Sequence, residues 1–171
     1  MKVFILGPVA SGKSTLAESL EEELNIPKYS IDRIVHNDEM QCKRSEQEQL
    51  NIINQVFRKE KEWIIEGMPR THLDVIANNA TIIIYLDYEK AILRKRLKKR
   101  NQDIKSGKIQ VPYELTEELL EKMNHYIEND NREDKIYLMK RHPQKLIIIK
   151  NDKELEKLRI AIREGEILKY Q

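Results

Sequence analysis

"GPVASGKS" (residues 7–14) follows the apolar run "KVFIL" (2–6) and precedes "TLAESLEEEL" (15–24). A short apolar run bounded by glycine reads as a buried strand, and Leu16, Leu20 and Leu24 recur at helical spacing. The stretch is therefore a strand-to-helix loop. It carries Gly7, then four residues, then Gly12, Lys13 and Ser14, which is the spacing of a phosphate-binding loop. Glycines let the backbone turn so that successive N–H groups face phosphate oxygens, and the helix beginning near Lys13 adds its positive end. The binding segment spans Gly7, Pro8, Val9, Ala10, Ser11, Gly12, Lys13, Ser14 and Thr15. In such a loop the lysine, here Lys13, bridges the β- and γ-phosphates, and the hydroxyl of Ser14 coordinates Mg²⁺ directly. The expected cofactors are ATP and Mg²⁺.

Outward from the loop, "KYSI" (28–31), "WII" (63–65), "TIIIYL" (81–86) and "KLIII" (145–149) read as further strands. Ile82, Ile83 and Ile84 do not alternate with polar residues, as expected of strands covered on both faces. Leu50, Ile53 and Phe57 mark a second helix, and Ser45 with Glu48 gives it a capping box. Further helices are expected near 70–79, 89–100, 117–141 and 152–162. Strand-helix alternation predicts an α/β fold of three layers, with a five-stranded parallel sheet between helices. No repeat or low-complexity linker interrupts the chain, so residues 1–171 are read as one domain.

Composition narrows the partners. The chain has 31 basic and 29 acidic residues, a net charge of +2, so no overall field calls for nucleic acid or an anionic membrane. Its one cysteine, Cys42, excludes an internal disulfide and cannot build a thiolate metal site; it reads as buried or idle. No apolar run reaches membrane length and no secretory leader is visible, which predicts a cytoplasmic protein, monomer or homodimer.

Two further stretches concern the phosphoryl acceptor. "WIIEGMPRTHLD" (63–74) resembles the strand-to-helix segment of adenylate kinases, where an acidic residue and Gly end a buried strand and Pro-Arg follows. That resemblance implies that Arg70 holds a phosphate of the acceptor and that Glu66 holds Mg²⁺ through water. The chemistry is sound in itself, since a guanidinium binds phosphate bidentately and a carboxylate at a strand's C-terminal end faces the ligand crevice. An ordinary Pro-started helix with a solvated Arg70 is the alternative. "LDYEKAILRKRLKKR" (86–100) is similar to the same family, in which two arginines follow the fourth strand four residues apart. Here they are Arg96 and Arg100, and the resemblance implies that they neutralise the transferring phosphoryl group. Six of the seven residues from Arg94 to Arg100 are basic, so a solvated face is the competing reading, to which Arg94, Lys95, Lys98 and Lys99 are assigned.

After them "NQDIKSGKIQVPYEL" (101–115) suits a short lid over about 101–116, without the cysteines of zinc-bearing lids. Asp32, at the end of "YSIDR", has two readings. It accepts a proton from an acceptor hydroxyl, as in shikimate-kinase-like and nucleoside-kinase-like enzymes, or it caps the next helix. Arg132, where "ENDNRED" (128–134) breaks the apolar pattern, has two readings: it returns to the phosphates, as a later arginine does in the adenylate kinases, or it lies at the surface, where it is assigned for want of a local motif. The four histidines, His36, His72, His125 and His142, lack metal-ligand spacing and are also placed at the surface.

Taken together, "GPVASGKSTLAESL", "YSIDRI", "WIIEGMPRTHLD" and "IIIYLDYEKAILRKRLKKR" resemble the small P-loop proteins called DNA topology modulation (FlaR-like) proteins. Two departures from adenylate kinases stand out. The longer acceptor insert with its Thr-Gly-Asp stretch is absent, and Asp74 stands where that family's Gln reads adenine. A carboxylate only accepts hydrogen bonds, so it cannot match adenine's mixed pattern. The expectation is transfer of the γ-phosphoryl group of Mg·ATP to a small acceptor: a nucleotide, nucleoside or other hydroxylated metabolite. Lys13, Arg96, Arg100 and Asp32 are the expected catalytic residues, and Asp32, Arg70 and Glu66 bind the acceptor. The rival expectations are an ATP-dependent nucleic-acid-binding protein, supported by the basic run alone, and a plain NTPase.

Overall fold

A computed structural model describes residues 1–37, 42–68, 72–109, 111 and 114–167. Its centre is β1 (Lys2–Leu6), which the phosphate loop leaves for α1 (Lys13–Leu24). Next come β2 (Lys28–Ser30), the short helix α2 (Ile31–Val35), a hairpin of β3 (His36–Asn37) and β4 (Cys42–Lys43), and α3 (Glu46–Lys59). The chain continues through β5 (Trp63–Glu66), α4 (Leu73–Asn79), β6 (Ile82–Leu86) and α5 (Lys90–Lys105). It ends with α6 (Glu117–Glu128), α7 (Glu133–Arg141), β7 (Leu146–Ile149) and α8 (Asp152–Arg163).

Five strands form one parallel sheet, as expected, and their order is β2-β5-β1-β6-β7. Strand periodicity explains the layers. Val3, Ile5, Ile82 and Ile84 project to one face, where Leu16 and Leu20 of α1, Leu93 and Leu97 of α5 and Leu158 of α8 cover them. Phe4, Leu6, Ile65 and Ile83 project to the other, against Ile53 and Val56 of α3, Ile76 of α4 and Leu138 of α7. Both faces are therefore buried, which is why the isoleucine run lacks alternation.

The differences from sequence are local. The capping box at Ser45 and Glu48 is present, with each residue's side chain bonded to the other's backbone N–H. The helix expected over 117–141 is two helices, because Arg132 adopts a left-handed conformation (φ 60°) between them. Helix α5 runs on to Lys105, so the expected lid segment begins as a helical extension. The hairpin was not foreseen, since two-residue strands carry no readable period. Gly67 (φ 130°) closes β5 against α2: a Cβ there would stand 2.6 Å from Cβ of Ile31. Only glycine lets the start of α2, and with it Asp32, sit against the end of β5.

Candidate active site

In a parallel sheet every strand ends on the same edge, so the segments that follow them gather there. At this edge stand the phosphate loop after β1, Asp32 after β2, Glu66 closing β5, Asp87 and Tyr88 after β6, and Asp152 after β7. The loop is tight. A Cβ on Gly7 (φ 149°) would meet the Leu86 carbonyl oxygen at 2.6 Å, and Ala10 takes a left-handed φ of 62° to complete the turn. A non-glycine residue in that region is costly, and such strain clusters at ligand clamps.

The Lys13 ammonium donates to the Gly7 and Pro8 carbonyls at 2.9 and 2.8 Å, folding back over its own loop. Removal from water pulls its pKa below the usual lysine value, the Glu66 and Asp32 carboxylates oppose that, and the Arg100 guanidinium reinforces it. Charges from three elements, β5, α2 and α5, are thus felt at one nitrogen. The two carboxylates favour the charged ammonium in a place where burial disfavours it.

The Ser14 hydroxyl donates to Oε2 of the buried Glu66 at 3.2 Å. Hydroxyl and carboxylate oxygens suit Mg²⁺, which keeps several waters and takes one or two protein ligands. No cluster of three or more His, Cys, Asp or Glu side chains suited to a metal occurs among the described residues. Ser11 is buried, and its Oγ has no hydrogen-bond partner. Such an orphan normally needs a partner, and at the centre of a phosphate loop a phosphate oxygen is one. These residues fit a bound nucleoside triphosphate and its metal.

Arg96 lies beside the loop. Its Nη1 donates to the Ser11 carbonyl at 3.0 Å, its Nη2 bonds Oδ1 of Asp152, and its guanidinium lies 3.9 Å over the Tyr88 ring. Arg100, one turn on, is exposed. Asp32 is also exposed, inside the first turn of α2; Ser30 holds the cap position, so the capping reading of Asp32 does not stand. Arg70 lies outside the described residues.

Arg132, assigned to the surface, is largely buried. Its Nε lies 3.2 Å from Oδ1 of Asp87, its Nη2 donates to the Tyr88 carbonyl at 2.9 Å, and its Nη1 pairs with Asp130. Lys135 joins Asp87 at 2.8 Å. The surface assignment of the histidines also needs correction: His72 and His142 are buried, whereas His36 and His125 are exposed. Cys42 is exposed in the hairpin. Asp74 accepts a hydrogen bond from the Tyr137 hydroxyl.

Sequence reasoning missed Tyr88, Asp152 and Arg44. Arg44 donates through Nη1 to the carbonyls of Arg33, Ile34 and His36, at 2.8, 3.2 and 2.6 Å, and so ties the hairpin to the end of α2. A cavity of about 560 Å³ lies between β2 and α3, lined by Tyr29, Ile52, Gln55 and Val56 among others; it contains none of the residues above.

A family model described as an AAA domain matches residues 3–137. The chain belongs to the AAA domain family. Within it, this chain has the fold of the P-loop kinases. A gluconokinase from Sinorhizobium meliloti 1021 is 12% identical with a TM-score of 0.58, over 99% of this chain and 97% of that one. A shikimate kinase from Bacteroides thetaiotaomicron is 15% identical with a TM-score of 0.55, over 96% and 97%. An uncharacterized protein from Eubacterium ventriosum ATCC 27560 is 18% identical with a TM-score of 0.57, over 100% and 99%. Among curated proteins no significant match was found. No helix among the described residues is long and apolar enough to cross a membrane.

Proposed function

We propose that the chain is an ATP-dependent phosphotransferase that moves the γ-phosphoryl group of Mg·ATP to a small hydroxylated or phosphorylated acceptor. The observation that carries this reading is the set of charges gathered at Lys13, which folds over its own loop: the Glu66 and Asp32 carboxylates and the Arg100 guanidinium, with Asp32 itself open to solvent. A site built only to hydrolyse ATP or to hold it as a switch has no need of a second carboxylate that is both felt at Lys13 and open to solvent. Gluconokinase and shikimate kinase, whose folds this chain shares, are by name kinases of small hydroxylated acids. We also read the four sequence segments quoted above as placing the chain among the FlaR-like proteins they resemble.

In this reading the bound Mg·ATP supplies the phosphoryl group and the metal charge that offsets its oxygens. Ser14 and, through water, Glu66 hold the metal, while Gly7–Thr15 and Lys13 hold the phosphates. Charge on a transferring phosphoryl group spreads over its equatorial oxygens, so fixed cations stabilise it. Lys13 and Arg100 meet that need, and Arg96 adds its charge at the loop's flank. Asp32 accepts the acceptor's hydroxyl proton, or orients that hydroxyl for attack. Arg70 binds an anionic group of the acceptor.

The test is label transfer from γ-labelled ATP across sugar acids, cyclic polyol acids, nucleosides and nucleoside monophosphates. Label captured by one class supports the reading. Phosphate release at the same rate with every acceptor and with none would replace it with a plain NTPase.

A further inference from the structure

We propose that Tyr88 and Asp152 are positioning residues for the phosphate loop: they hold the Arg96 guanidinium flat against it, so that the bond to the Ser11 carbonyl sets the loop's shape. This rests on the nucleotide-site reading above, and it adds two residues that no sequence motif marks.

The contacts form a closed chain. Tyr88 is buried, and its hydroxyl donates to Oδ1 of Asp152 at 2.8 Å. The same oxygen accepts from Nη2 of Arg96, and the guanidinium lies 3.9 Å over the Tyr88 ring. Arg96 is thereby held in two ways, by its face on the ring and by its edge on the carboxylate. Its remaining edge reaches the loop: Nη1 donates to the Ser11 carbonyl at 3.0 Å and stands 3.9 Å from where a Gly12 Cβ would be. Tyr88 is itself fixed from behind, because its carbonyl accepts from Nη2 of Arg132 at 2.9 Å.

Peptide geometry gives this brace its consequence. The unit joining Ser11 to Gly12 is planar and trans, so its N–H points opposite to its C=O. Drawing the Ser11 oxygen toward Arg96 turns the Gly12 N–H away from Arg96 and into the loop, where phosphate oxygens need donors. An unanchored arginine samples many rotamers and would hold that peptide only part of the time. The Tyr88 hydroxyl, and after it Arg96, hold the Asp152 carboxyl below its usual pKa against the effect of partial burial. Asp152 opens α8, where a carboxylate is also favoured by the helix's positive end. Its side chain is 77% exposed, so its ion pair with Arg96 alone would be weak in water. The bond from the buried Tyr88 hydroxyl is what fixes the carboxylate in place.

The experiment is calorimetric titration of Mg·ADP and Mg·ATP into the unaltered protein and into Tyr88→Phe, Asp152→Asn, Arg96→Gln and the Asp152→Asn/Arg96→Gln pair. Melting temperatures are measured alongside. The expected result is binding weakened about fivefold by Tyr88→Phe or Asp152→Asn, the scale of one partly exposed contact. The melting temperature should barely move. The double variant should bind no worse than Arg96→Gln alone, because Asp152 acts only through Arg96. Unchanged binding in both brace variants, or losses that add fully in the pair, would overturn the inference while leaving the nucleotide site intact. Should Asp152→Asn not fold, Tyr88→Phe keeps the ring, deletes only the hydroxyl and carries the same cycle with Arg96→Gln. If the unaltered protein binds neither nucleotide, the site reading fails first and the inference falls with it.

Discussion

The two sides of the proposed site, one for the nucleotide donor and one for the acceptor, are built differently. On the donor side, contacts join residues far apart in sequence: Arg96 reaches Ser11 and Asp152, Tyr88 reaches Asp152, and Arg132 reaches Asp87. The elements there are long helices packed on the sheet. On the acceptor side α2 has five residues and the hairpin strands two each, with Asp32, Arg33, His36, Cys42 and Lys43 exposed. A triphosphate is the same ligand for every P-loop protein, and a rigid cradle suits it. An acceptor differs from one enzyme to the next, and short solvent-facing elements can change without disturbing a core.

The contrast breaks if the two sides cannot be disabled separately, and Lys13→Ala is the strongest blow to the donor side. It removes the charge that the loop carbonyls, Glu66 and Asp32 all surround. Transfer should fall roughly a thousandfold, the upper range for loss of one preorganised charged donor. Nucleotide binding should weaken with it, while the melting temperature holds. Retained transfer with normal nucleotide binding would place the phosphates elsewhere.

Asp32→Asn is the matching blow on the acceptor side. Asparagine keeps the size and removes the proton-accepting charge. Turnover should drop roughly a hundredfold, as for a lost general base, with Mg·ADP affinity within about twofold of the unaltered protein. Equal losses in both would mean that Asp32 supports Lys13 rather than the acceptor, and the division into two sides would fail.

How much of this was legible in the sequence follows the same divide. The phosphate loop could be read because its donors are consecutive residues and its flanks declare strand and helix. The sheet could be read because apolar runs with both faces covered look alike wherever they occur. Arg96 stood out in the sequence, but its partners did not: Tyr88 and Asp152 lie 64 positions apart and meet only because β6 and β7 are neighbours. Arg132 was misplaced for the same reason. A polar stretch that interrupts an apolar pattern looks like surface until the left-handed turn aims its guanidinium back at Asp87. On the acceptor side the hairpin was illegible because its strands are shorter than any period.

Arg44→Ala probes what steadies that side, with a smaller effect. Its three carbonyl bonds satisfy the end of α2, whose carbonyls have no helical partner of their own. Losing them should cost about 1–2 kcal/mol of stability, by the usual worth of charge-assisted hydrogen bonds in partly solvated sites. The acceptor KM should rise several-fold while Mg·ADP binding stays put. A nucleotide affinity that falls in step would show that the hairpin and the cradle move as one body.

The smallest effect comes from a residue on neither side, and it guards the pH profiles against misreading. His142 follows α7 and is buried. Burial, and after it the Lys145 ammonium, hold its pKa below 6.5, against the pull of Asp74. The folded protein therefore keeps this imidazole neutral where the unfolded chain would already protonate it. By linkage, the stability that depends on the neutral form is complete above about pH 6.5 and is lost as pH falls from there through the depressed folded value. The melting temperature should decline by a few degrees at most between about pH 7.5 and about pH 5 on this account. In His142→Gln, which cannot titrate, part of that decline should vanish whatever the variant's stability at neutral pH. An identical acid slope in the two proteins would show that His142 is not its source. Any acid loss of turnover that survives in His142→Gln, at temperatures where the fold is intact, then belongs to groups in the crevice itself.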